Sequence, residues 1–131
     1  MEDEIFGYGR IALSALEIFK KEQYGPNECW MQAAYEIYPN SISSAEKVCP
    51  RYAFLGLCDE GMVIGIDKGN YTGSYKNKAY AVKAVKVLRQ KNLNDIDPIG
   101  LWELLPIKHP LTHNHQMDVV LALWRNNLIV K

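Results

Sequence analysis

At 131 residues the chain has the length of one domain, and folding removes about two thirds of its extended-chain surface from water, so neither disulfide nor metal is required. Fifteen Lys and Arg balance fifteen Asp and Glu, which argues against a globally basic nucleic-acid binder, and the longest apolar stretches fall well short of the roughly 18 residues of a membrane span. Three cysteines without C-x-x-C spacing fit a reducing compartment, and Met-Glu-Asp-Glu lacks the basic start of a signal peptide, so a cytoplasmic location is expected.

Tyr8 to Glu22 reads as the first helix, with Ile11, Ala15, Ile18 and Phe19 on one stripe and Lys20, Lys21 and Glu22 closing it before a Tyr-Gly-Pro turn. Pro26 suits a helix start, and Trp30, Ala33, Ala34 and Ile37 line one face until Pro39, which makes Trp30 a core residue rather than a ligand platform. Ser43-Ser44-Ala45-Glu46 has capping-box spacing for a short turn of helix. Pro50 suits the first position of the next helix. Over Arg51 to Glu60, Ala53, Phe54, Leu57 and Cys58 fall on one side, Gly56 permits close approach of a neighbour, and Gly61 ends the run. Met62-Val63-Ile64 then leaves in an extended or single-turn conformation over the core edge.

Asp67 to Asn77 is the one long irregular stretch, rich in Gly, Asn, hydroxyl and Lys residues, and reads either as a functional loop or as a plain linker. Lys78 to Lys91 forms a helix with Ala81, Ala84, Val85 and Leu88 inward and Lys83, Lys86 and Arg89 outward. Asp97-Pro98 starts a short helix carrying Leu101, Trp102 and Leu105, ended by Pro106. Asn114 is expected to cap a final helix with Met117, Val120, Leu121 and Trp124 buried. No segment reads as a strand, so the fold class is all-α: a single compact domain of about six helices.

Three colinear matches suggest an internal duplication. Ile11–Lys20 lies over Tyr80–Arg89, Phe54–Val63 over Val120–Ile129, and each half carries Pro-x-x-x-Trp, at Pro26 to Trp30 and Pro98 to Trp102. The expected pseudo-repeats run over about residues 5–66 and 75–131, with a linker loop at 67–77, packed about a pseudo-twofold axis. Amphipathic helices can always be slid into apolar register, which is the plainer reading. The halves differ in charge: Met1 to Ile66 holds ten acidic against five basic residues, and Asp67 to Lys131 holds five against ten. Either the halves attract each other, or the second presents a basic surface to an anionic partner.

Three features bear on chemistry. The loop Lys68 to Lys78 leads into a helix N-terminus, where free N–H groups, the helix dipole, and Lys68, Lys76 and Lys78 suit a phosphate, while Tyr71 and Tyr75 could stack on a base or anchor the loop. No Walker or G-x-G-x-x-G pattern occurs, and no cofactor is expected. His109, His113 and His115 cluster near Asp118 without metal spacing: on a helix, His113 and His115 would point to different sides, and Pro110 keeps His109 off regular structure, so capping is the plainer role and no metal is expected. Cys49 precedes Pro50-Arg51 at a helix start that would lower a thiol pKa, yet a nucleophile also needs a base, and a capping or buried role is the plainer reading. Cys29 and Cys58 read as core.

The strings Cys49-Pro50-Arg51, Ala53-Phe54-Leu55-Gly56-Leu57-Cys58, Gly65-Ile66, Lys68-Gly69-Asn70-Tyr71-Thr72, and Gln116-Met117-Asp118-Val119-Val120-Leu121-Ala122-Leu123-Trp124 resemble a group of small bacterial proteins classed as a domain of unknown function. The resemblance spans nearly the whole chain and implies a bacterial, single-domain, cytoplasmic protein, with no activity attached. The preferred expectation is a non-enzymatic helical binding or adaptor protein whose basic loop and helix engage an anionic partner (a phosphate-bearing ligand, nucleic acid or acidic protein) through Arg51, Lys68, Asn70, Tyr71, Thr72, Lys76, Asn77 and Lys78. The alternative is a small enzyme or small-molecule binder with a pocket at the seam between the repeats. A homodimer formed through apolar ends such as Leu128-Ile129-Val130 is a third expectation, and none of the three involves a membrane.

Overall fold

The computed structural model describes residues 7–91, 93, 95–108 and 111–130. Among them run seven helical segments: α1 (Tyr8–Lys21), α2 (Pro26–Ile37), α3 (Ile42–Ala45), α4 (Val48–Asp59), α5 (Tyr75–Lys91), α6 (Pro98–Glu103) and α7 (Gln116–Arg125). No strand longer than an isolated bridge occurs among the described residues. The domain is all-α, as the periodicity predicts.

α4 and α7 form its centre. Ala53 to Asp59 of α4 and Val119 to Leu123 of α7 are buried without interruption, the pattern of helices enclosed on every side. α5 and α2 pack on α4, α1 and α6 pack on α7, α1 lies broadly along α2, and α5 also touches α7. Trp30 is fully buried, its ring 5.2 Å from that of Phe54, and Cys29 and Cys58 are core residues. Ile11 and Ala15 are buried, with Ile18 and Phe19 packed at the core margin.

Helix boundaries follow local chemistry, with four departures. The Glu28 carboxylate accepts the Gly25 N–H ahead of α2, and Asp97 caps α6 by accepting the Gly100 N–H at 2.7 Å. The cap of α3 is Ser41, whose Oγ accepts the Ser44 N–H at 3.3 Å, two residues before the expected box, because Ile42 already has helical backbone. α4 begins at Val48, placing Pro50 within its first turn, where a missing N–H costs nothing. α5 begins at Tyr75, three residues before the expected start, because Ser74 caps it: its Oγ accepts the Asn77 N–H at 3.3 Å. α7 is capped not by Asn114 but by His113, whose Nε2 accepts the Met117 N–H at 3.0 Å.

The ends of α4 and α7 match each other. Gly61 and Asn127 both adopt left-handed backbone, with φ of 68° and 58°. The Met62 N–H donates to the Leu57 carbonyl and the Leu128 N–H to the Leu123 carbonyl, the Schellman bonds of two equivalent caps. The two exits then pair: Ile64 N–H donates to Leu128 O at 2.9 Å and Val130 N–H to Met62 O at 2.8 Å, around an antiparallel bridge of Val63 with Ile129. Exchanging α4 with α7 also exchanges the α4–α5 contact with α7–α1, and α2–α4 with α6–α7. The symmetry is partial: the broad α1–α2 face has no counterpart of that extent between α5 and α6. The segment expected to be exposed for dimerisation is largely used internally, since Ile129 is 5% exposed and Leu128 packs against the core.

Candidate functional site

The loop that precedes α5 is built around Asp59. This carboxylate, at the end of α4, is 3% exposed. Its Oδ1 accepts the backbone N–H groups of Tyr71 and of Thr72, the latter at 3.2 Å, and its carbonyl accepts the Gly69 N–H at 3.2 Å. Lys78 Nζ stands 3.5 Å from Asp59 Oδ2 and 2.7 Å from Glu60 Oε2. The bond to Glu60 holds the Lys78 ammonium above its ordinary pKa, and Lys78 in turn holds the Glu60 carboxyl below the usual range. Tyr71 folds back to donate its hydroxyl to the Asp67 carbonyl at 2.7 Å. Thr72 Oγ1 accepts the Ser74 N–H at 3.2 Å. Tyr71, Thr72 and Lys78 therefore all serve the loop's own structure.

Asn77 lies inside. It is 8% exposed, and its Oδ1 accepts from Nε2 of Gln116, itself 2% exposed, at 3.0 Å. Gln116 Oε1 accepts the Asn114 N–H at 2.7 Å, and Asn77 Nδ2 donates to Ser74 Oγ at 3.1 Å. This chain of satisfied amides joins α5 to α7 through a region too dry to leave them unpaired. Neither Asp59 nor Gln116 stands out in the sequence, since each occupies a helix end where polar residues are commonplace.

Lys68, Asn70 and Lys76 face solvent. Arg51 does reach the neighbourhood of the loop. Its guanidinium carbon lies 4.8 Å from the centroid of the Tyr52 ring, with Nη2 donating to the Tyr52 hydroxyl at 3.2 Å and Nη1 to Met31 Sδ at 3.1 Å. The Tyr52 hydroxyl in turn approaches Gly73, where a Cβ would stand 3.5 Å from it. Arg51 Nε is buried with no hydrogen-bond partner among the described residues. Of the eight expected residues, Lys68, Asn70 and Lys76 thus remain open to a partner, Arg51 is half-buried and engaged with Tyr52 and Met31 beside them, and Tyr71, Thr72, Asn77 and Lys78 form the frame behind.

α5 extends this surface. It carries six basic residues and no acidic one. Among the described residues, Lys78 alone of these six pairs with a carboxylate, and Arg89 donates instead to the Val130 carbonyl. Lys76 and Lys86 are exposed and Lys83 half-exposed on its outer side.

The histidines and Cys49 do not converge. His113 and His115 both precede α7, with ring centroids 6.3 Å apart, so the helical geometry expected to separate them does not apply. Burial holds the His113 imidazole below its ordinary pKa, in keeping with its acceptor role. His115 adopts left-handed backbone, pairs through Nδ1 with Asp118 Oδ2 at 2.7 Å, and rests against Tyr8, with centroids 4.8 Å apart. His109 and Pro110 lie outside the described residues. No group of three or more metal-ligating side chains assembles among the described residues. Cys49 is half-buried, and no hydrogen bond joins it to a histidine among them. A groove of about 340 Å³ runs along the seam between α1 and the exit of α7. Its lining includes Ser14, Glu17, Lys20 and Asn126 but neither Cys49 nor a histidine, and Glu17 pairs with Lys20 at 3.6 Å.

The model of DUF6979, a family of unknown function, matches residues 5–130. The chain belongs to this family. No curated protein and no solved structure matches it. Membership in DUF6979 accounts for nearly the whole chain and assigns no activity. No helix among the described residues of this DUF6979 protein is long and apolar enough to cross a membrane.

Proposed function

We propose that the protein is a non-enzymatic binding protein that presents α5 and the loop before it to a polyanionic partner. The observation that carries this reading is the one-signed charge of α5: six cations, no acid, and, among the described residues, a single cation paired with carboxylates, those of Asp59 and Glu60. A helix face of this kind repels itself and gains by gathering phosphates or sulfates, with release of their counterions. Arg51, Lys68, Asn70 and Lys76 border the same surface and belong to the proposed contact, with Tyr71, Thr72, Asn77 and Lys78 holding its shape. The test is affinity for heparin as a function of salt. The Lys76→Gln/Lys83→Gln double variant should bind several-fold more weakly, with a shallower dependence on salt concentration. An unchanged affinity and slope would remove α5 from the contact.

Two further proposals accompany this reading. A cytoplasmic location is supported by three thiols, none of them in a disulfide. Duplication of an ancestral helical unit is supported by the matched caps at Gly61 and Asn127 and by the reciprocal pairing of the exits they create.

A further inference from the structure

We infer that the polyanion taken by this surface is a single-stranded nucleic acid, stacked at one end on Tyr75 and followed along α5 by Lys76, Lys83 and Lys86. The inference rests on the polyanion reading above and names its partner. Tyr75, the first residue of α5, is 80% exposed, more than any other large hydrophobic side chain among the described residues. The other tyrosines around it are engaged. Tyr71 donates to Asp67, Tyr52 lies against the Arg51 guanidinium, and Tyr80 meets Trp102 edge to face at 5.0 Å. Tyr75 makes no hydrogen bond or ring contact among the described residues, so its faces are free for a planar ligand.

The helical repeat puts that ring in line with the cations. At 3.6 residues per turn, Tyr75, Ala79, Lys83, Lys86 and Gln90 fall within about 80° of arc, with Lys76 at its margin, opposite the buried Ala81, Ala84 and Leu88. From Tyr75 to Lys86 the helix rises about 17 Å, room for several nucleotides of one strand. Ala79 leaves the middle of the face low. A ring beside flexible point charges suits a strand whose bases are unpaired: stacking needs an open base face, which a duplex hides, and lysines follow phosphates without demanding sequence. An acidic protein segment would use the lysines and leave the ring idle. The opposing charge is Glu60, which pairs with Lys78 and whose carboxyl is held below the usual range by Lys78 first and by Lys68 and Lys86 as well; Asp59 is buried and committed to the loop. The strand is therefore expected to run on the Lys76 and Lys83 side of α5, away from Glu60.

The experiment is fluorescence anisotropy with a labelled oligothymidylate of about 20 nucleotides, long enough for one or more sites, beside a duplex of equal length and heparin as a base-free polyanion. Wild type should bind the single strand more tightly than the duplex. Tyr75→Ala should weaken single-strand binding by about tenfold with its salt slope unchanged. Tyr75→Phe should keep the affinity, and heparin binding should ignore both changes. The exposed position of Tyr75 means these variants fold, which their melting curves would verify. Single-strand affinity in Tyr75→Ala within twofold of wild type, or a duplex bound as tightly as the strand, overturns the inference. If Lys76→Gln/Lys83→Gln still weakens heparin binding, the polyanion reading survives that outcome. Absence of binding to heparin and to oligonucleotide at low salt removes both.

Discussion

Asp59 ties together three parts of the chain through one carboxyl group: the end of α4, the backbone at Tyr71 and Thr72, and Lys78 of α5. Replacing it with alanine leaves two loop N–H groups without their acceptor and strips the least exposed partner from a half-buried ammonium. Asp59→Ala should destabilise the protein by about 3 kcal/mol, towards the lower end for a broken buried pair because Glu60 still holds Lys78, as measured by urea unfolding. His113 supplies the pH dependence. Its folded pKa lies below its ordinary value, so the unfolded chain takes up a proton at higher pH than the folded chain. The contribution is present in full above about pH 6.5 and is lost as pH falls through the lowered folded value. Melting temperatures should therefore decline from pH 7.5 towards pH 5, and His113→Gln should flatten that decline. The sequence places His113 near the start of the last helix and suggests a capping role. It shows nothing of the burial of Asp59, because the lysine that pairs with it and the loop it holds meet it only in three dimensions.

At the scale of elements, α4 and α5 approach most closely where Gly56 faces Lys78. A Cβ on Gly56 would lie 2.6 Å from both Cα and Cβ of Lys78, and backbone cannot yield as a side-chain tip would. Gly56→Ala gains about 1 kcal/mol of helix propensity but forces the two helices apart. The steric term wins, for a net loss of about 1–3 kcal/mol, seen as a lower urea midpoint. The close approach is legible from a glycine inside an apolar helical run, and so are the left-handed endings at Gly61 and Asn127. The start of α5 is not, because Tyr75-Lys76-Asn77 looks polar and loop-like until Ser74 is seen capping it and Asn77 is seen paired with Gln116. A buried amide pair has no periodic signature, so the sequence assigns Asn77 to a binding surface when the fold uses it as a bridge.

For the whole molecule, the opposite charges of the two halves read in two ways from sequence, and the structure contains something of each. Lys78 meets the acidic half at Asp59 and Glu60, while Lys76 and Lys86 stay in solvent and Lys83 is half-exposed. Composition gives the totals, and only the packing of α5 on α4 decides which lysine is spent internally. The paired exits of α4 and α7 carry a different consequence. Because Ile64 and Val130 each donate across to the other exit, the exit of α4 is latched by residues that are synthesised long after α4 itself. A nascent chain held short of Leu128 lacks the partners that close the exit of α4. The two exits thus close each other, and the amide protons of Ile64 and Val130, distant in sequence, should exchange with solvent as one unit.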